Sequence, residues 1–151
     1  MLASNRGPGT SGKEAFVNPK KTVLVVDDEP SLALVYKLFV QREGHDAFSA
    51  ESYQGAVNIL SECGNIDLLL TDFALDREHT AFEVIYLARS RFPELPCIIV
   101  TSYPNQAVVD RAAEMEIPVL QKPVPVRHLL EAVGKSLEFK HTKLSRRAIA
   151  A

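Results

Sequence analysis

The chain has 151 residues, enough for one domain with a sizeable core, and is 46% hydrophobic and 24% charged, the balance of an ordinary globular protein. Its formal net charge of -2 gives no global attraction to nucleic acid or to an anionic membrane. No apolar run approaches the roughly 20 residues of a membrane span, the N-terminus lacks the apolar stretch of a signal peptide, and Cys63 and Cys97 stand outside any CxxC or zinc-like spacing, so a cytoplasmic protein with reduced thiols is expected.

Residues 1–20, rich in Gly, Ser, Pro, Asn and Lys, read as a disordered leader. Thr22-Val23-Leu24-Val25-Val26 is a continuous apolar run with the character of a central buried strand, and it ends in Asp27-Asp28-Glu29-Pro30. Pro30 suits the first turn of a helix, which runs to about Glu43 with Leu32, Val35, Leu38 and Phe39 inward, and Gly44 supplies a left-handed stop. A short strand around Phe48 follows. Ser52 then caps a helix to about Cys63, with Ala56, Ile59, Leu60 and Cys63 inward, and Gly64 ends it as Gly44 ends the first. Asp67 to Thr71 is the most apolar strand, and Asp72 stands where it runs out.

Thr80-Ala81-Phe82-Glu83 has the form of a capping box and opens a helix to about Phe92, broken by Pro93 and Pro96. Cys97 to Val100 is another apolar strand, ending at Thr101-Ser102. A helix follows from about Asn105 to Met115. Val119-Leu120 is a short last strand before Gln121-Lys122-Pro123, and Pro125 opens a final helix with Val126, Leu129, Leu130, Val133 and Leu137 at helical spacing. Residues 139–151 carry a local basic excess and read as a solvated tail, with contact to nucleic acid or an acidic partner as the alternative.

Strand and helix alternate throughout, which predicts an α/β fold: a flavodoxin-like, doubly wound, five-stranded parallel sheet with helices on both faces. The continuously apolar first, third and fourth strands belong in the middle, which gives the order 2-1-3-4-5. In such a sheet ligands bind beyond the carboxyl ends of the strands. Those ends carry Asp27 and Asp28, Asp72, Thr101 and Lys122 in turn.

Each of these has an ordinary structural reading as a helix cap, strand end or loop residue. Together they place three carboxylates in one crevice with a hydroxyl and an ammonium at its rim. Clustered carboxylates need a counter-charge, and Mg2+ with a few carboxylates and waters supplies one. Lys122 adds another cation that can pair with Asp72. The set suits a phosphoryl group: Asp72 as a carboxylate nucleophile, metal and lysine on the phosphoryl oxygens, and Thr101 as a hydroxyl donor. His45, His79, His128 and His141 are scattered and read as solvated surface residues.

Over about residues 21–138 the sequence resembles the receiver domain of two-component response regulators. The residues that carry the likeness are Val25-Val26-Asp27-Asp28-Glu29-Pro30, Leu69-Leu70-Thr71-Asp72, Ile99-Val100-Thr101-Ser102 and Leu120-Gln121-Lys122-Pro123. The resemblance implies that Asp72 is the phosphoacceptor, phosphorylated by a histidine kinase or histidine phosphotransfer protein. It implies a Mg2+ site made by Asp27, Asp28, Asp72 and the backbone carbonyl of Ala74, with Asp28 a direct ligand and Asp27 acting largely through metal-bound water. It also implies Thr101 as the switch hydroxyl, Lys122 as the phosphate-binding lysine, and a cis bond from Lys122 to Pro123. Signalling would pass by protein contact to a downstream partner, without independent enzymatic turnover and with a homodimer left open.

Three departures stand out. Asp76 replaces a proline common in the loop after the phosphoacceptor, Thr80 or Ala81 replaces the glycine usual before the third helix, and Val119 replaces the aromatic switch residue. With Val119 too small and too stiff to act as a rotating plug, Tyr103 in the loop after Thr101 is the remaining aromatic candidate. A pseudo-receiver that ignores phosphorylation is the alternative. A haloacid-dehalogenase-type phosphatase would want a second Asp at the position of Ala74, and an FMN site would want a phosphate-cradling loop where Asp27 and Asp28 stand.

Overall fold

The computed structural model describes residues 19–150, with side chains described through residue 138. All but the last two residues of the expected leader, and the side chains of the basic tail, therefore lie outside the described residues. The chain runs β1 Thr22–Val26, α1 Pro30–Arg42, β2 Asp46–Ala50, α2 Tyr53–Glu62, β3 Leu68–Asp72, α3 Ala81–Arg91, β4 Cys97–Thr101, α4 Gln106–Glu114, β5 Val119–Gln121 and α5 Val126–Ala150. The backbone of α5 continues well past Leu137, where the core-facing pattern of the sequence ends.

Five parallel strands pair in the order β2-β1-β3-β4-β5. The fold is the expected flavodoxin-like sheet. Alternation along each strand divides the core in two. Leu24, Val26, Leu69, Cys97 and Ile99 face the helices α2, α3 and α4. Val23, Val25, Leu68, Leu70, Ile98 and Val100 face α1 and α5. β1, β3 and β4 are buried on both faces, which is why they read as unbroken apolar runs.

Local signals in the sequence account for most helix ends. Pro30 occupies the first turn of α1, and Gly44 follows its end with φ +95°. The Ser52 hydroxyl accepts from the Gly55 amide at 2.9 Å to cap α2. At α3 the Thr80 amide donates to the Glu83 carboxylate at 2.8 Å while the Thr80 hydroxyl accepts from the Phe82 amide at 3.3 Å. Gly64 departs from expectation: α2 closes on an extended Cys63, and Gly64 does not take a left-handed conformation.

The buried face of α1 also differs from the expected one. Ala33, Tyr36 and Val40 are buried, Leu32 and Phe39 pack at the margin, and Leu34 and Leu38 are about half exposed at 52% and 51%. The helix is apolar almost all round, so periodicity alone does not choose a face. Small Ala33 lets the helix approach the sheet closely, and Tyr36 buries a large ring there. Among the described residues no helix is long and apolar enough to cross a membrane.

Candidate functional site: an acidic crevice at the strand ends

The same alternation that divides the core assembles the crevice. Asp27 continues the phase of Val23 and Val25, Asp72 that of Leu68 and Leu70, and Lys122 that of Leu120, so all three belong to the α1 and α5 side. Hydrogen bonds carry the ladder past the strands and fix the backbone at each point. The Asp27 amide donates to Ala50 O at 3.1 Å, the Phe73 amide to Val100 O at 3.0 Å, and the Lys122 amide to Thr101 O at 2.8 Å. The buried Thr71 hydroxyl donates to Asp72 O at 2.9 Å, a support the sequence reading did not single out.

Asp27, Asp28 and Asp72 can each bring a carboxylate oxygen within 4.8 Å of the others. Asp27 and Asp72 are buried and Asp28 is exposed. Lys122 Nζ lies 2.8 Å from Asp27 Oδ2 and 3.4 Å from Asp72 Oδ1. The other Asp27 oxygen accepts the Glu29 amide at 2.9 Å, which turns the chain into α1. The Lys122–Pro123 bond is cis.

The charges are out of balance around Asp72. Burial pushes its carboxyl up to about 7, a hydrogen bond with Asp28 and the charge of Asp27 push the same way, and Lys122 only partly opposes them. Burial by itself would lower the Lys122 pKa, but the bond to Asp27 and the charges of Asp27 and Asp72 outweigh it and leave it raised. The lysine is thus committed mainly to Asp27. Two acids out of three remain short of positive charge, and a hard divalent cation with oxygen ligands would supply it. The donor set fits Mg2+: three carboxylates, one of them open to solvent for the water ligands this ion retains.

Ala74 begins the loop after Asp72 and forms an isolated antiparallel bridge with Thr80. The flanking bonds, Ala81 N to Phe73 O at 2.7 Å and Leu75 N to His79 O at 3.2 Å, leave the Ala74 carbonyl out of the pairing. It is therefore chemically available as a further oxygen ligand.

Thr101 has the opposite phase to Asp72 and falls with Cys97 and Ile99 on the α4 side. Its hydroxyl accepts the Tyr103 amide at 3.2 Å. The Tyr103 ring is 87% exposed, so the backbone of this residue, and not its ring, touches Thr101. Val119 pairs with Ile99 in register and packs at the margin of the same cluster.

A matching model of the response regulator receiver domain spans residues 23–134. The chain belongs to the response regulator receiver family. Curated relatives of this receiver domain include the phyllosphere-induced regulator PhyR of Methylorubrum extorquens, 24% identical over 91% of the chain and 51% of that protein. Another is the response regulator PilR of Pseudomonas aeruginosa, 26% identical over 81% of the chain and 27% of that protein. The chain thus spans about half the length of the first of these, and less of the second. Among solved structures, a CheY-like receiver domain from Methanospirillum hungatei superposes with a TM-score of 0.75 at 22% identity, over 83% of this chain and 99% of that one. A receiver domain from Clostridium thermocellum gives 0.73, also at 22% identity, over 81% and 98%.

The histidines are not all alike, which the sequence reading missed. His79 stacks on Tyr53 with ring centroids 3.8 Å apart and binds the Asp76 carboxylate through Nδ1 at 2.9 Å. An Asp three residues before a His in a short loop was the available signal. A cleft of about 520 Å³, lined by residues that include Arg89, Pro96, Cys97, Met115, Pro118 and Lys135, lies at the opposite, amino end of β4 and β5. Glu94 and Glu116 also line it, but the cluster of three carboxylates among the described residues lies at the other end of the sheet.

Proposed function

We propose that this receiver domain takes a phosphoryl group on Asp72 from a histidine kinase or histidine phosphotransfer protein, with Mg2+ as cofactor, and signals through protein contact. The observation that carries the reading is the placement of Asp72 between two further carboxylates and the Lys122 ammonium. A carboxylate oxygen of Asp72 forms the new bond to phosphorus as the phosphorus–nitrogen bond of the donor phosphohistidine breaks, and the imidazole keeps the electron pair. When bound, Mg2+ neutralises charge on the transferring oxygens. Asp27, Asp28, Asp72 and the Ala74 carbonyl would hold the ion, and Lys122 turns from the acids towards the new phosphoryl oxygens. Thr101 donates its hydroxyl to one of those oxygens. We place the domain at residues 21–138, in the cytoplasm, flanked by a leader and a basic tail.

The experiment is incubation of the protein with a small phosphodonor and Mg2+, followed by mass measurement. The expected result is one base-labile phosphoryl group on the unmodified protein and none on Asp72→Asn. Equal uptake by the variant overturns the assignment.

Val119 in place of an aromatic favours a second reading, a pseudo-receiver whose binding surface ignores phosphorylation. A melting temperature indifferent to Mg2+ would favour that alternative.

A further inference from the structure

The loop between Asp72 and α3 is closed by more bonds than an exposed connection needs. The Asp76 carboxylate accepts the Glu78 amide at 2.8 Å, the His79 amide at 2.7 Å and His79 Nδ1 at 2.9 Å. The Leu75 and Asp76 amides both donate to the His79 carbonyl, at 3.2 and 3.3 Å. The His79 imidazole then lies flat on Tyr53, the planes 3° apart. Tyr53 opens α2 beside its Ser52 cap and packs at the margin of the core. A continuous run of contacts therefore ties the loop to a separate helix: Asp76 to His79, His79 to Tyr53, Tyr53 to α2.

Small polar loops have no core of their own to hold them. Leu75 anchors this loop in the core, and three polar or aromatic side chains add to it by fixing the course of the chain from Phe73 to Thr80. Ala74 lies on that course, and its carbonyl is left out of the bridge. Loss of a group that orients a metal ligand typically costs about ten- to a hundredfold in metal affinity. We propose that Asp76, His79 and Tyr53 form a latch that positions the Ala74 carbonyl for a divalent cation, an inference that rests on the metal reading of the acidic crevice. His79 and Tyr53 are on this view positioning residues that never touch the ion.

The test is calorimetric titration of the full chain with Mg2+ alone, at a temperature where circular dichroism shows every variant folded. His79→Ala and Tyr53→Ala should each weaken binding by about tenfold. Tyr53→Phe should stay within about twofold, because the stack needs the ring and not the hydroxyl. The double variant should be no weaker than His79→Ala, since the stack on Tyr53 is already lost with the imidazole. A merely structural role would lower the melting temperature without this pattern. Unchanged affinity in His79→Ala and Tyr53→Ala, or an equal loss in Tyr53→Phe, overturns the latch while leaving the metal site intact. If the unmodified chain itself fails to bind Mg2+, the metal reading falls and takes the latch with it. Should Tyr53→Ala fail to fold, the loop substitution His79→Ala decides the matter.

Discussion

Lys122 and Asp27 meet across 95 residues of sequence at 2.8 Å, and the aspartate side chain is only 1% exposed. A buried charge of this kind depends on its partner. Lys122→Ala would leave Asp27 uncompensated, at a cost of about 3 kcal/mol. Urea denaturation at neutral pH with a chelator present measures it, and a loss below about 1 kcal/mol would show that water replaces the lysine.

Asp72 ties stability to pH. Its carboxyl is raised from 3.8 to about 7, so the folded state holds a proton that the unfolded state releases. The contribution is fully present below the unfolded value and is lost as pH rises through the folded one. The metal-free protein should therefore lose stability steadily from about pH 4 to 7. Asp72→Asn should flatten this slope, and saturating Mg2+ should offset the loss at neutral pH by about 2.7 kcal/mol at a hundred times its dissociation constant. Urea midpoints across the range, with and without Mg2+, check both expectations.

Thr101 reports its own movement. In the structure its hydroxyl accepts the Tyr103 amide at 3.2 Å. If a phosphoryl mimic such as beryllofluoride draws that hydroxyl inward, the Tyr103 amide loses its acceptor and should exchange faster. Amide exchange should change over residues 101–110 and little at Val119. An equal response at Val119 would return the coupling to β5, and an unchanged Tyr103 amide would show that Thr101 does not move.

Helix α1 makes a simpler comparison. Val40→Ala opens space beneath the helix and should cost about 2 kcal/mol, whereas Leu38→Gln on the exposed side should stay within about 0.5 kcal/mol. Denaturation midpoints measure both, and the reverse order would reinstate the face expected from sequence.

That last case marks where sequence reasoning runs out. Three apolar strands each followed by Asp or Thr announced the sheet, its order and the crevice, because burial on both faces leaves a continuous signature and the strand end is where it stops. Capping groups such as Ser52 and Thr80 were legible for a similar local reason. The face of α1 was not, since its apolar residues surround the helix and only packing against the sheet selects Ala33, Tyr36 and Val40. His79 was misread as a solvated residue because its partner Tyr53 lies on another helix. Contacts of that kind follow from the assembled fold and leave no periodic trace.

The segment from Phe73 to Ala81 leaves the sheet after β3, closes on itself where the Ala81 amide meets the Phe73 carbonyl at 2.7 Å, and leans on α2 where His79 stacks on Tyr53. It is therefore a cassette pinned at its two ends and held against one neighbouring helix. Asp27, Asp72 and Lys122 ride on backbone held by the ladder, and Ala74 rides on the cassette. One half of the crevice is thus carried by the sheet, and the other by the contacts of a loop.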